Sequence, residues 1–254
     1  MEVGNALQYL LIGYKISFIA GLLCLVIAKC FLPEFLQYGK TLSARAEERD
    51  GRLISLSGLV YLTMPKSSFS HFYYLSSALS IITLTTYPRS SLTWLILLHS
   101  LRRLYETKYV SKYAAHSRMN WSHYVVGLWF YASLHLILNA KLASNSIPVS
   151  LNPVATLIFL MASIEQYKNH HILSNLTKYS LPEKGMFTIV CCPHYLDEIL
   201  IYVSLVVYNR EFAWPLIWVA LTLTTSALET QKYYNAKFKD TNRIPSYAIV
   251  PYVV

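Results

Sequence analysis

The hydrophobic residues of this chain occur in long blocks, and short segments rich in lysine, arginine, histidine and tyrosine separate them. A soluble domain interleaves apolar and polar residues at helical or strand period, whereas a membrane helix needs about 20 consecutive apolar residues. We therefore predict an all-α, multi-pass integral membrane helical bundle. The blocks indicate about seven transmembrane helices, with six or eight as alternative counts: residues 7–32, 69–87, 92–105, 124–142, 148–164, 187–208 and 212–228.

Two further apolar stretches are too short to span a bilayer. Residues 53–64 are amphipathic and fit a re-entrant or partly buried helix, and residues 247–254 form an apolar tail. The first block could be mistaken for a secretory signal. It contains Lys15 and lacks both a positive leading segment and a small-x-small cleavage site, so we interpret it as a retained span.

Composition supports the membrane interpretation. The chain is 54% hydrophobic and 14% charged, against roughly 25% charged residues in ordinary soluble domains. The net charge of +9 alone would fit nucleic acid, anionic lipid or a phosphorylated ligand. Most lysines and arginines, however, lie in short segments on one side of the predicted topology, and the opposite loops carry only Arg89, Lys141 and Arg210. This asymmetry predicts a cytosolic C-terminus and a luminal N-terminus, and it argues against a nucleic-acid partner.

The cysteines and glycines exclude several site types. Cys24 and Cys30 lie inside the first span, and Cys191 and Cys192 are adjacent, so no disulfide framework is expected. Cys191, Cys192 and His194 lack the second ligand pair of a structural zinc site, and we expect no metal. The glycines are too scattered for a Gly-x-Gly-x-x-Gly turn or a phosphate loop. Any nucleotide must therefore be held by side chains and helix ends.

The segment CCPHYLDEILIYVS, residues 191–204, places polar groups at the start of an apolar block. Pro193 suits the first turn of a helix, where its missing donor is not needed. His194 then lies one turn from Glu198. An unpaired carboxylate inside the bilayer is costly, so Glu198 is a functional candidate, whereas Asp197 also fits an ordinary interfacial residue.

The segment LLHSLRRLYETKYV, residues 97–110, carries a second constellation. His99, Arg102, Arg103 and Glu106 are three or four positions apart and share one helical face. Glu106 can pair with either arginine. The alternative is a span end whose arginines extend to the lipid headgroups.

Two more segments carry candidates. Residues 64–77 place His71 and Tyr73 at the start of the second span, where an aromatic belt is the alternative. Residues 164–187 form a polar cytosolic segment in which Gln166 and His170 could contact a nucleotide. The alternative for these histidine-rich positions is an ordinary surface loop.

Four stretches together resemble the steroid 5-alpha-reductase family: RRLYE, CPHYLDEILIYVS, NHHILSNLTKYSLPEKGMF and the ending YYNAKFKDTNRIPSYAIVPYVV. The Pro-His-Tyr of CPHYL, with PKSSFSHFY and HSLRRLYE, is similar to the polyprenol (polyprenal) reductase branch of that family. The resemblance covers most of residues 64–254, and residues 110–254 form the C-terminal part that resembles 5-alpha-reductases.

The resemblance implies one membrane-embedded reductase domain, residues 1–254, in the endoplasmic reticulum membrane. It implies NADPH-dependent reduction of the α-isoprene double bond of polyprenal, giving dolichal on the way to dolichol for protein N-glycosylation. The expected partners are a long-chain polyprenoid lipid and the membrane, with no obligate protein partner. A steroid enone or enoyl-CoA reductase of the same family and a non-catalytic lipid-binding protein are the alternatives.

Site residues follow from the resemblance and from the chemistry of the reaction. Hydride addition to an enal builds negative charge on the carbonyl oxygen, so the site needs a donor in a dry pocket. The expected catalytic residues are His71, Tyr73, His99 and Glu106. The expected cofactor-binding residues are Arg102, Arg103, Gln166, His170, His194, Glu198 and Tyr234.

The sequence departs from the family pattern at three places. Gln231 stands where the family has a histidine, Thr177 where it has an arginine, and Ser246-Tyr247 where it has Arg-Lys. These departures put the contacts to the cofactor phosphates in question.

Overall fold

The computed structural model describes residues 2–31, 62–113, 117–177, 180–238 and 243–253. Over these residues the chain is nearly all α-helical, as predicted. The seven α-helices of the described residues are α1 (Glu2–Phe31), α2 (Phe69–Thr86), α3 (Ser91–Tyr105), α4 (Trp121–Ala143), α5 (Pro153–Ser174), α6 (Pro193–Tyr208) and α7 (Ala213–Lys237). A π-helical turn, Glu106–Val110, continues α3, and short 3-10 turns precede α2, α6 and α7.

Two short strands are an exception to the all-α prediction. Strand β1 (Thr63–Pro65) pairs antiparallel with β2 (Arg118–Asn120), with Thr63 opposite Asn120. The predicted amphipathic piece therefore ends in a strand rather than a helix, and its residues 53–61 lie outside the described residues. The pairing holds the chain before α2 against the chain before α4, so these two helices start at the same end of the bundle.

Helix α5 differs from the predicted span at both ends. It begins at Pro153, where the side chain of Asn152 caps it by accepting from the backbone N–H of Ala155 at 3.0 Å. It continues to Ser174, ten residues past the predicted end. Gln166 and His170, predicted in a polar cytosolic segment, therefore lie on a helix, and Gln166 contacts α6.

Helix α6 begins later than its predicted span. Residues Gly185–Thr188 form a 3-10 turn, and the helix starts at Pro193 with Cys192 as the preceding cap residue. The prediction that Pro193 occupies the first turn is confirmed. Because proline lacks an N–H, it opens the helix without leaving a buried donor unsatisfied.

In the part of the chain that the structure describes, three helices are long and apolar enough to cross a membrane: Gly4–Phe31, Trp121–Ala143 and Arg210–Lys237. Helices α3 and α6 contain 15 and 16 residues, and α2 and α5 carry more polar side chains. The count of seven spans is not confirmed by these properties and stays a prediction.

Aromatic and aliphatic side chains from all seven helices form one continuous core. Helix α5 packs on α6, α2 packs on α3 and α4, and α6 also packs on α7. Phe18, Phe159 and Phe212 are fully buried in this core. Close packing between α4 and α2 depends on Gly127, because a Cβ built there would lie 2.5 Å from the Phe72 ring.

Two ion pairs, at different positions along its axis, connect helix α1 to the C-terminal part of the bundle. Lys15 Nζ lies 3.3 Å from a carboxylate oxygen of Glu211, and Lys29 Nζ lies 2.8 Å from Glu229. The two lysines are about 21 Å apart along a helix that rises 1.5 Å per residue. Lys141 of α4 approaches Glu211 at 3.7 Å. The lysine inside the first apolar block is therefore neutralised within the protein.

We expect Gly127→Ala to lower the free energy of unfolding by about 1–3 kcal/mol, because the added methyl group overpacks the buried contact with Phe72. Thermal unfolding of the protein in lipid nanodiscs measures the change. Gly13→Ala is the matched control, because a Cβ at Gly13 has nothing within 4 Å and alanine favours a helix by up to about 1 kcal/mol. Equal effects of the two substitutions would contradict close packing at Gly127.

Candidate functional site

Polar side chains converge where α3 ends, α5 ends and α6 begins. We call this group the α3–α5–α6 polar cluster. Its members are His99, Arg102, Arg103, Glu106, Gln166, His170 and Glu198. All of them were predicted as site residues, and the structure brings them into one connected network. Ionisable side chains inside an apolar bundle usually serve a function, because burying them without partners is costly.

Glu106 lies at the centre of the cluster, and its side chain is fully buried. One carboxylate oxygen accepts from Arg102 Nη1 and the other accepts from Arg103 Nη1. His170 Nδ1 lies 2.6 Å from the second oxygen. Because a carboxylate only accepts, this contact requires the proton on His170 Nδ1, and Arg103 Nη1, which lies 2.9 Å from the same nitrogen, then has the Glu106 carboxylate as its acceptor. The prediction that Glu106 pairs with either arginine is confirmed, since it pairs with both.

The backbone turn explains how one carboxylate contacts two consecutive arginines. Glu106 opens the π-helical turn directly after the last residue of α3. A π-turn widens the helix locally, and such turns occur frequently at functional sites. Glu106 therefore lies beyond the third predicted span, on the face that Arg102 and Arg103 share.

The pKa of Glu106 reflects these contacts. Burial alone would raise it, but the hydrogen bond from His170 and the charge of Arg103 outweigh burial and lower the pKa from 4.5 to about 2. The carboxylate is therefore ionised at neutral pH and acts only as an acceptor. Its effect is to fix the positions of Arg102 and Arg103.

Gln166 connects α3 to α6 across the cluster. Its Oε1 accepts from Arg102 Nη2 at 2.6 Å, and its Nε2 donates to Glu198 at 2.6 Å and to the backbone carbonyl of His194 at 3.1 Å. Only this orientation of the amide places its carbonyl on the cation and its NH₂ on the carboxylate. The side chain thus fixes the distance between the guanidinium of α3 and the carboxylate of α6.

His99 lies between the arginines and Glu198. Its Nδ1 is 3.4 Å from Arg102 Nη2, and its Nε2 is 3.4 Å from Glu198 Oε1. Because the guanidinium donates, Nδ1 accepts and Nε2 carries the proton. A small cavity of about 10 Å³, lined in part by His99, Tyr131 and Tyr202, adjoins this histidine. That volume corresponds to about one water molecule.

Tyr73 extends the cluster towards α2. Its side chain is buried, and its ring centre lies 5.2 Å from the Arg103 guanidinium carbon and 5.6 Å from the Tyr131 ring. The ring of His99 lies 6.5 Å away. A phenol hydroxyl is thereby held beside a fixed cation among apolar side chains, where a hydrogen-bond donor acts most strongly on developing negative charge.

The cluster is electrically balanced but retains unsatisfied donors. Two arginines face two glutamates, so the charges of the four side chains sum to zero. Within the described residues, the buried Nε atoms of Arg102 and Arg103 have no hydrogen-bond partner. Unsatisfied buried donors are rare in folded proteins. Their presence fits a site that receives an anionic or carbonyl-bearing group.

Three predicted site residues lie outside the hydrogen-bonded network. His71 is exposed, and its Nδ1 is 3.0 Å from the Tyr124 hydroxyl. Tyr234 is buried in a separate apolar group that includes Cys191 and Cys192. His194 adjoins the network, with its ring 5.5 Å from that of His170.

Two polar contacts were missed from the sequence. Asn169 donates to Asp197 at 2.7 Å, between α5 and α6. Its spacing from Gln166, three positions, would have signalled a shared face had the segment been predicted as helical. Tyr131, which interacts with the hydroxyls of Tyr73 and Tyr202, gave no signal because it lies within an aromatic-rich span.

The C-terminal segment forms a second wall near the start of α6. Val190 and Tyr247 form a parallel bridge, and Cys192 N–H donates to the carbonyl of Ala248 at 2.9 Å. Gln231, where the family pattern has a histidine, donates to the carbonyls of Pro245 and Ser246 at 3.2 and 2.9 Å. A neutral amide therefore positions this segment through its backbone.

This segment and the 3-10 turn before α6 enclose an open cleft of about 550 Å³, which we call the C-terminal cleft. It is lined by Glu183, Phe187, Thr188, Ile189, Arg243, Ile244, Pro245, Ser246 and Tyr247. The buried ring of Phe187 lies 6.0 Å from the ring of His194. Side-chain contacts therefore run from the cleft to the α3–α5–α6 polar cluster.

Comparison with known proteins identifies the family. Residues 133–254 match the family described as 3-oxo-5-alpha-steroid 4-dehydrogenase. The chain is 54% identical to the polyprenal reductase of Saccharomyces cerevisiae over 248 residues, which cover 98% of this chain and 97% of the relative. The chain belongs to the steroid 5-alpha-reductase family, in its polyprenal reductase branch. It is also 27% identical to the polyprenal reductase of Caenorhabditis elegans over 100% of this chain and 98% of the relative.

Membership of a reductase family suggests a nicotinamide cofactor. The residues of this polyprenal reductase-like chain fit such a cofactor in two respects. The unsatisfied N–H groups of Arg102 and Arg103 suit anionic or carbonyl oxygens. The C-terminal cleft offers a volume within the range of small-molecule sites.

We expect Glu106→Gln to destabilise the protein by about 3 kcal/mol at neutral pH, because the contacts with His170 and Arg103 lower the pKa of the Glu106 carboxyl from 4.5 to about 2. Because the folded pKa is below the unfolded one, this stabilisation is full above about pH 4.5 and is lost as the pH falls towards 2. Unfolding midpoints in nanodiscs, measured at a series of pH values from about 3 to about 7, report this loss.

Glu165→Gln is the matched control for this prediction. Glu165 is half-buried on the same helix as Gln166 and pairs with the exposed Lys168 at 2.6 Å, a kind of contact that contributes about 0–1 kcal/mol. The two variants should differ at neutral pH and converge in acid. Equal unfolding midpoints at neutral pH would contradict the central position of Glu106.

Proposed function

We propose that this chain is an NADPH-dependent oxidoreductase that reduces the α-isoprene double bond of polyprenal to give dolichal. The product then supplies dolichol for protein N-glycosylation. The proposal includes the endoplasmic reticulum membrane, seven spans, a cytosolic C-terminus and a luminal N-terminus. The observation that carries it is a connected, buried polar cluster in a chain 54% identical to a polyprenal reductase.

The cofactor contacts in this proposal come from the residues expected at the outset. They are Arg102, Arg103, Gln166, His170, His194, Glu198 and Tyr234. A bound nicotinamide supplies the hydride. The arginines offer their free Nε–H donors to it, while Gln166 and Glu106 keep the guanidinium groups in place. Tyr234 supports the C-terminal segment through the apolar group that contains Cys191 and Cys192.

The chemistry requires a donor for the carbonyl oxygen of the enal. As hydride adds to the β-carbon, negative charge develops on that oxygen, and a proton must later reach the α-carbon. We assign the donor role to the Tyr73 hydroxyl, which is buried beside Arg103. His99 lies next to Tyr73 and is assigned to proton return. Glu106 acts as a positioning residue, because its oxygens already accept from three side chains.

The surroundings suit a lipid substrate. The outer face of α3 presents Trp94, Leu98, Leu101 and Tyr105, each about half exposed. These positions are one helical turn apart and would face lipid in a bilayer. A polyprenyl tail can therefore remain in the membrane while its aldehyde enters between the helices. Polar groups and non-helical backbone within the hydrocarbon region of a bilayer are tolerated only where the protein buries them.

A substrate panel tests the proposal. Purified protein in nanodiscs is given NADPH with polyprenal, a delta-4 steroid enone or an enoyl-CoA, and the products are measured by mass spectrometry. We expect saturated product from polyprenal alone. The steroid is the second candidate, because the matching family carries a steroid dehydrogenase description. Preferential turnover of the steroid or thioester would assign another substrate class, and absence of NADPH binding would favour a lipid-binding protein.

We expect Tyr73→Phe to lower kcat by about 10²–10³-fold, because loss of one donor to a developing oxyanion has this effect in enzymes. Polyprenal turnover and NADPH binding are measured together, and binding should change little. Tyr74→Phe is the matched control, since Tyr74 is adjacent and half exposed. Normal turnover by the Tyr73→Phe protein would remove this tyrosine from the reaction.

A further inference from the structure

The C-terminal cleft carries an ion pair that the mechanism above does not use. Arg243 Nη1 lies 3.3 Å from one oxygen and 3.4 Å from the other oxygen of the Glu183 carboxylate. Both side chains are largely exposed, with 71% and 49% of their surface accessible. An exposed pair of this kind contributes little to stability. Its guanidinium can therefore exchange partners at low cost.

The cleft combines this pair with groups that suit a nucleoside. Phe187 and Tyr247 contribute aromatic surface, and Thr188 and Ser246 contribute hydroxyls. Among the described residues that line the cleft, Arg243 is the single cation. Arginine binds phosphate oxygens through two parallel N–H donors, and it does so better than a point charge.

The family pattern makes this arginine informative. The positions at which the resemblance expects cationic side chains hold Thr177, Ser246 and Tyr247 here. Ser246 and Tyr247 line the cleft but cannot neutralise a phosphate dianion. Arg243 lies three positions before Ser246 and faces the same space. It supplies the charge that those positions lack.

The two nicotinamide dinucleotides differ at one position, and this difference determines which of them the cleft should bind more tightly. NADPH carries a phosphate on the adenosine 2′-oxygen, and NADH carries a hydroxyl there. Arginine accommodates the 2′-phosphate, whereas a carboxylate accepts a hydrogen bond from the 2′-hydroxyl and repels the phosphate. The cleft contains one of each, so Arg243 favours the phosphate and the paired carboxylate of Glu183 opposes it.

We propose that Arg243 binds the 2′-phosphate of NADPH in the C-terminal cleft and thereby selects NADPH over NADH. The inference rests on the proposed function, which supplies the dinucleotide. The contact between Phe187 and His194 links the cleft to the α3–α5–α6 polar cluster. The adenosine end therefore lies in the cleft, and the nicotinamide end lies towards Arg102 and Arg103.

The test measures binding rather than turnover. Wild-type protein and the Arg243→Gln variant are placed in phosphatidylcholine nanodiscs, which present no anionic lipid, and are titrated with NADPH and with NADH by calorimetry. We expect the Kd for NADPH to rise about ten- to hundredfold in the variant, because charge-assisted hydrogen bonds are lost. The Kd for NADH should stay within about twofold, since NADH lacks the 2′-phosphate to which Arg243 is assigned.

Further variants and probes separate phosphate binding from a structural role. Arg243→Lys should give an intermediate NADPH affinity, and Glu183→Gln should tighten NADPH by removing a repelling charge. Adenosine 2′,5′-bisphosphate should displace NADPH from the wild type and lose potency in Arg243→Gln, whereas adenosine 5′-monophosphate should be unaffected. Arg210→Gln is the control, because Arg210 is exposed and does not line the cleft.

The outcomes are distinguishable. An unchanged NADPH Kd in Arg243→Gln, or an equal loss for NADPH and NADH, would overturn the role of Arg243 while leaving the reductase function intact. Failure of the wild type to bind either dinucleotide would overturn the proposed function itself. A selective loss for NADPH and for adenosine 2′,5′-bisphosphate supports the site.

Discussion

The arrangement of the polar site depends on one buried carboxylate. Arg102 and Arg103 carry two adjacent positive charges into an apolar bundle, where neither charge is stable without a counterion. Glu106 accepts from both and also from His170. It thereby joins α3 to α5 and sets where the guanidinium groups point. The π-turn that begins at Glu106 makes this contact geometrically accessible to both arginines.

The pairing of glutamates with arginines also determines the electrostatic surroundings of the proposed reaction. With Glu106 and Glu198 balancing the arginines, the charges of the four side chains sum to zero, and aromatic and aliphatic core residues pack beside them. Electrostatic interactions are stronger in such surroundings than in water. A donor such as Tyr73, fixed beside Arg103, can then stabilise charge that appears only during reaction. An apolar bundle that gathers its polar side chains in one cluster also accommodates a substrate whose tail remains in lipid.

The sequence predicted those parts of the structure that local spacing determines. Three- and four-residue intervals placed Arg102, Arg103 and Glu106 on one face, and Pro193 marked a helix start, as the structure has them. The sequence pattern did not predict the second half of α5 as a helix, because polar residues there replace the apolar stripe that signals a helix. Tyr131 could not be predicted either, since its partners are on other helices and pairing between helices leaves no local pattern.

The C-terminal segment shows how a departure from a family pattern can be absorbed. A histidine at position 231 could both bind backbone and carry charge, whereas Gln231 provides only the hydrogen bonds, to Pro245 and Ser246. The segment is nonetheless held in place, because the bridge between Val190 and Tyr247 adds backbone contacts. Holding the segment and recognising a charged ligand are therefore separable tasks. A cation that recognises a charged ligand need only face the C-terminal cleft. Arg243 faces this cleft, whereas Gln231 and the bridge between Val190 and Tyr247 hold the segment.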